Sequence, residues 1–341
     1  MWITIAVFGL AVAATVPVVQ RLRQAPTVRL PLRTVAMVAL PGHDSRFDYA
    51  DVDPVAHRLF AAHMGDGTLL ELDTRTDAVT ATVAGLPTVT GVIVMPELHR
   101  VFASVAGTGQ VAMIDENSAT VLTRAPAGQF PDGLTYVPST GQVWVSDESG
   151  GGETVLDAHT GQRVATVPLG GEAGNVRYNR TTDQVLVDVQ SRDEVAVLDP
   201  HTRAIIRRVR LAGCDHPHGL LLDGPRAFVA CNGNNQLLTL ALPQLTVLGH
   251  ARVGDGPDVL ALDRAHQVLY VAAESGVVTT LDLRPRASRV TGRAHLADNA
   301  HVVAVDASTG RAYFPLSDRG NGMPGLLITT LTPAPPEGTR S

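Results

Sequence analysis

Residues 132–169 read "DGLTYVPSTGQVWVSDESGGGETVLDAHTGQRVATVPL". Four short apolar runs can be picked out: "DGLTYVP", "QVWVSD", "GETVLD" and "QRVATVPL". Each is strand-length, rich in Val, Leu and aromatic residues, and bounded by Gly, Asp or Ser. No sustained helical periodicity runs through the stretch. Four such runs in about forty residues are the pattern of one β-propeller blade.

The unit repeats along the chain. Phe60, Phe102, Trp144, Phe228, Tyr270 and Tyr313 fall at steps of 42 or its multiple, the last step being 43, and Leu186 fills the gap. Six of the 14 aromatic residues therefore hold one repeat position. Asp73, Asp115, Asp157 and Asp199 form a second ladder, opening "DTRT", "DENS", "DAHT" and "DPHT". Ala241 breaks it and Asp282 resumes it one residue early. An Asp followed three residues later by Thr or Ser closes a tight turn, because its carboxylate accepts backbone N–H bonds. These aspartates read as structural.

Inner strands are expected to start near 48, 90, 132, 174, 218, 258 and 301, which gives seven blades. The last blade lacks an outer strand after "GLLITTLTP". The stretch "RTVAMVALPG" at 33–42 resembles the outer strands elsewhere, so the N-terminal strand should complete the C-terminal blade. Closure of this kind hides two edges. The expectation is an all-β, seven-bladed β-propeller of four-stranded antiparallel blades over 33–331, in one domain.

The flanks read differently. Residues 2–19 are apolar apart from two threonines. They suit a signal peptide, with "AVA" at 11–13 as cleavage site, or a membrane anchor within 1–24. Arg21 and Arg23 follow this core instead of preceding it. Both readings export the domain to the periplasm, the cell surface or the medium, with a membrane tether if the segment stays. The tail 332–341 is Pro-rich and expected to be disordered.

Composition narrows the chemistry. The net charge of −6 speaks against nucleic acid as a partner. All 27 basic residues are arginine, which excludes Schiff-base lysines, phosphate-cradling lysines and Ser–Lys dyads. No G-x-S-x-G, H-E-x-x-H or phosphate-loop motif is present.

The stretches "FPDGLTYVPSTGQVWVSDE", "GPDVLALDRAHQVLYVAAESGVVTTLD" and "RDEVAVLDPHTRAIIRRVRL" resemble the YVTN-type β-propeller repeat family. The resemblance covers the whole repeat region and implies the fold. It implies little about activity, since such relatives include surface proteins and binding modules. Lactonases and quinoprotein dehydrogenases share the architecture, so function has to be argued from a site.

The residue that opens each inner strand should point toward the channel axis. Those residues are Asp48, Thr90, Asp132, Gly174, His218, Asp258 and His301, with Asn175 beside the gap left by Gly174. Loops after the second strands bring Met64, Ala106, Glu148, Gln190, Asn232, Glu274 and Ser317 to the same face. Glu148 and Glu274 stand out there. In "CDHPHG" (214–219), His218 occupies a ring position and His216 lies on the loop before it. Cys214 and Cys231 reach the same rim and are expected to form a disulfide. Asp before Gly at a strand start is ordinary turn chemistry, which accounts for Asp132 and part of Asp258. It does not account for the two imidazoles.

The expected ligand-binding set is Asp48, Thr90, Asp132, Asn175, His216, His218, Asp258, His301, Glu148 and Glu274. Within it, His218, His301, Asp258 and Asp132 are the candidate ligands of a divalent metal ion. The ring can equally hold a polar ligand by hydrogen bonds. The leading expectation is an exported binding module with a small ligand or protein partner at the channel mouth. The alternative is a metal-dependent lactonase, similar to gluconolactonases, with Asp258 and Asn175 on the ion and His301 or His218 as base. A quinoprotein oxidoreductase is the weaker third reading, because only Trp2 and Trp144 exist.

Overall fold

A computed structural model describes residues 26–332. The expected signal peptide or anchor and most of the Pro-rich tail lie outside the described residues. Seven four-stranded antiparallel sheets stand around one axis. Blade 3 shows the unit: Pro131–Val137, Gln142–Asp147, Gly152–Asp157 and Arg163–Pro168, paired in sequence order from the axis outward.

The burial pattern explains why the strands read as they do. Second and third strands lie between neighbouring blades and are covered on both faces. "RVFASV" and "QVAMID" are therefore almost continuously apolar. Outer strands have one wet face, and Ala78–Val83 alternates between exposed and more covered residues. The aromatic ladder is the middle of this packing. Phe60, Phe102, Trp144, Phe228, Tyr270 and Tyr313 are each no more than 2% exposed. The aspartate ladder caps the hairpins at the far face. In each of the four, one carboxylate oxygen accepts backbone N–H groups two and three residues on, as Asp157 does from His159 and Thr160 at 3.0 and 2.8 Å.

The ring closes as the sequence suggests. Leu32–Ala39 is the outer strand of the blade formed by Ala304–Asp306, Arg311–Leu316 and Gly325–Leu331. Its register runs from Leu32 opposite Leu331 to Ala39 opposite Gly325. Just before it, Val28 pairs with Arg293 on the outer strand of blade 6, and the Arg293 guanidinium donates to Pro26 O at 2.7 Å. The N-terminal stretch thus ties blades 6 and 7 together.

The inner strands carry the feature that builds the site. In blades 2 to 6 the register against the second strand slips near the strand start, for instance between Pro131 and Leu134 and between Pro257 and Leu260. A bulge re-aims the side chains within it. In blades 1 and 7 regular pairing begins only at Ala50 and Ala304. Asp48 still donates its N–H to Ala62 O at 3.0 Å. Glycine is required beside some of these positions. A Cβ on Gly91 would collide with the carbonyl oxygen of Asp132, and one on Gly219 with that of Asp258. Asp-Gly at 132–133 is thus part of a strand bulge where neighbouring backbones converge. That corrects the turn reading of Asp132.

Candidate functional site

Seven strand starts bring one polar cluster to the channel mouth. Asp48, Asp132, Asp258 and His301 are at most 6% exposed, and Thr90 and Asn175 are buried with them. His218 is nearly buried, its side chain 13% exposed.

The contacts of His218 favour its charged form. Its Nε2 lies 3.1 Å from Asp258 Oδ1, and its Nδ1 lies 3.2 Å from Gln190 Oε1. The Gln190 amide nitrogen already donates to Glu148 Oε1 at 2.9 Å and to Ala173 O at 3.0 Å. Gln190 Oε1 is left to accept, which places a proton on His218 Nδ1, and Nε2 faces the Asp258 carboxylate at ion-pair distance. Burial works against that charge. The hydrogen bond and charge of Asp258, with Asp132 and Glu148, outweigh it and push His218 up to about 10. The same contact, with His301 and Arg46, holds Asp258 below the usual carboxylate range against its burial.

His301 differs. Its Nδ1 lies 2.8 Å from the carbonyl oxygen of Asn299 and so donates to it. That places the proton on Nδ1 and leaves Nε2 facing the cluster, 3.6 Å from Asp48 Oδ1. Burial works against a charge on this ring, but Asp48, Asp258 and Glu274 raise its proton affinity, so an ion would have to displace the Nε2 proton. This buried Nε2 has no hydrogen-bond partner among the described residues. One ligand atom each of Asp48, Asp258 and His301 lies within 4.8 Å of the others. They come from blades 1, 6 and 7. The set differs from the expected metal ligands: both His218 nitrogens already face a polar neighbour, Asp258 and Gln190, whereas His301 Nε2 makes no hydrogen bond among the described residues. Asp132 stands aside as well: Tyr49 donates to it at 3.5 Å, and burial, with Asp48 close by, pushes its carboxyl well above the usual range.

Other expected residues fall into place around the cluster. Thr90 donates to Pro131 O at 2.8 Å and holds blades 2 and 3 together. Asn175 donates to Tyr49 Oη at 2.9 Å, and with Asp132 these residues floor the cluster. Glu148 orients His218 through Gln190. Glu274 forms a bidentate pair with Arg46, at 2.7 and 2.9 Å. His216 does not join the cluster. It adopts φ of +56°, and its half-exposed ring lies 3.6 Å from Glu172. The bond between Cys214 and Cys231 is present, with Cα atoms 5.2 Å apart.

Sequence reasoning missed Arg46, Tyr49 and Asp188. Arg46 Nη2 sits 3.3 Å from Asp48 and 4.0 Å from Asp258, so a guanidinium already faces two of the three grouped residues. Its signal was available: Arg46 stands two residues before the ring position, the offset that singled out His216. Asp188 is fully buried behind Gly174, and neither oxygen has a hydrogen-bond partner among the described residues. Burial pushes it well above the usual range.

No family model matches the chain, and no curated protein does. Solved structures do. Hydrazine synthase from Kuenenia stuttgartiensis is similar with a TM-score of 0.71 and 15% identity, over 86% of this chain and 97% of that one. A structure described as U3-55K is similar with a TM-score of 0.74 and 11% identity, over 86% and 98%. At these identities the likeness speaks to the fold alone.

Proposed function

We propose that this propeller is an exported binding module whose channel mouth takes up a divalent cation through Asp48, Asp258 and His301. The observation that carries the reading is the convergence of three buried ligand atoms from three blades, with His301 held so that Nε2 faces the other two. Two carboxylates and one imidazole suit Mn²⁺ or Zn²⁺. The ion would meet the mouth's polar shell, which is the surface offered to a small ligand or partner. The buried disulfide supports export, since such bonds persist in oxidising compartments.

Arg46 makes the site competitive. Its guanidinium sits 3.3 Å from Asp48 and 4.0 Å from Asp258 while already paired with Glu274. Entry of an ion requires the guanidinium to move away from Asp48. Titration calorimetry with Mn²⁺ and with Zn²⁺ tests the proposal. One ion should bind per chain, and His301→Ala should weaken it by at least about tenfold, since losing even an outer-shell partner of a ligand typically costs about 10–100-fold. Arg46→Gln should strengthen binding. Absence of saturable binding by either ion, or undiminished binding in His301→Ala, would refute the reading.

A further inference from the structure

Below the floor made by Tyr49 and Asn175 the channel continues toward the opposite face. It forms a second cavity of about 290 Å³, walled by the inner strands of six blades. That size is near the lower end for small-molecule sites, about 300 Å³. Most of its lining is aliphatic side chain and inner-strand backbone, but two residues carry full charges of opposite sign. Asp51 belongs to blade 1 and Arg177 to blade 4. Three steps apart in a ring of seven, they stand across the channel from each other.

The two feel each other's charge but are not in contact. Among the described residues no carboxylate oxygen lies within 4.0 Å of the Arg177 guanidinium. Arg177 uses Nη1 alone, on Val176 O at 2.8 Å and Leu134 O at 3.4 Å. Its Nε and Nη2 have no protein partner among the described residues. Asp51 accepts the backbone N–H groups of Val52 at 2.9 Å and Val94 at 2.8 Å. The bond to Val94 clasps blade 1 to blade 2. Thr135, at the same repeat offset, clasps blade 3 to blade 4 with a neutral hydroxyl, accepting from Tyr178 N at 3.2 Å. The clasp does not need a carboxylate, so the charge at Asp51 exceeds its structural task. Desolvated charges are costly unless they are paired.

We infer that this lower chamber binds a small zwitterion of the amino-acid class, its carboxylate on the open side of Arg177 and its ammonium on Asp51. A guanidinium offers a planar fork that matches a carboxylate. A plain anion would meet repulsion from Asp51, and a plain cation would meet repulsion from Arg177. Only a ligand with both charges relieves both. Its two charged residues are distinct from Asp48, Asp258 and His301, and Tyr49 and Asn175 lie between the two sites.

Calorimetry with glycine and L-alanine tests this, with acetate and methylammonium as the two half-ligands. The zwitterions should bind saturably to the wild-type protein, and at least about tenfold tighter than either half-ligand, since each charge-assisted contact is worth about 1.5–3 kcal/mol. Arg177→Gln and Asp51→Asn should each abolish that advantage. Asn at 51 keeps a carbonyl for Val94 N–H, which preserves the clasp. If neither zwitterion binds saturably, or acetate binds as tightly as glycine, the inference is wrong. The wild-type ranking alone decides this, whether or not a variant folds.

Discussion

Asp132 and Asp258 occupy the same position of the repeat, are equally buried, and hold their protons differently. The difference is one contact. Asp258 meets Nε2 of His218 at 3.1 Å, whereas Asp132 lies 4.0 Å from the same nitrogen and faces Tyr49. No ladder of equivalent positions could separate them, because the deciding residues come from other blades. A similar balance operates at the opposite end of the blades. Glu116 is 1% exposed, and burial together with the nearby Asp53 carboxylate pushes it up to about 7. Burial pushes Asp51 up to about 6. Carboxyls raised on folding bind protons more tightly in the native state. Their contribution to stability is complete below the unfolded value and lost as pH rises through the folded one. For Glu116 that window runs from 4.5 to about 7. Thermal melts across it should show wild type losing stability relative to Glu116→Gln as pH rises. Parallel curves would show that Glu116 titrates normally.

The strand element decides where side chains point, and here the sequence was partly misleading. Strand count, strand order and the closing strand were legible because burial on two faces or one writes itself into apolar runs and alternations. The bulges at the inner-strand starts were not legible, since an extra residue leaves no periodic trace. They turn Asp132 and Asp258 inward, while the left-handed backbone at His216 turns that ring toward Glu172. The loop ending at His218 is pinned by the bond from Cys214 to Cys231, across a separation of 17 residues. Closing a loop of this length contributes about 3 kcal/mol. The double variant Cys214→Ser, Cys231→Ser should lose roughly that amount in denaturant titration. An unchanged midpoint and slope would show that the loop is held by its packing alone.

On the scale of the molecule, the 42-residue period made the architecture readable, but the site is a product of ring closure. Asp48, Asp258 and His301 lie 210 and 43 residues apart in the chain and meet only because blade 7 returns beside blade 1. Closure rests on Leu32–Ala39, which supplies the outer strand of the last blade. Deleting 26–42 should expose that edge and give aggregated or non-cooperatively melting protein. A soluble truncation with a sharp melt would mean that blade 7 is stable with three strands. The central claim is that the channel mouth is a cation site, and an anomalous-difference map from crystals soaked in Mn²⁺ or Zn²⁺ tests it most directly. One peak bonded to Asp48, Asp258 and Nε2 of His301 is expected, with the Arg46 guanidinium farther from Asp48 than its present 3.3 Å. A mouth without a peak, and with Arg46 still beside Asp48, would contradict it.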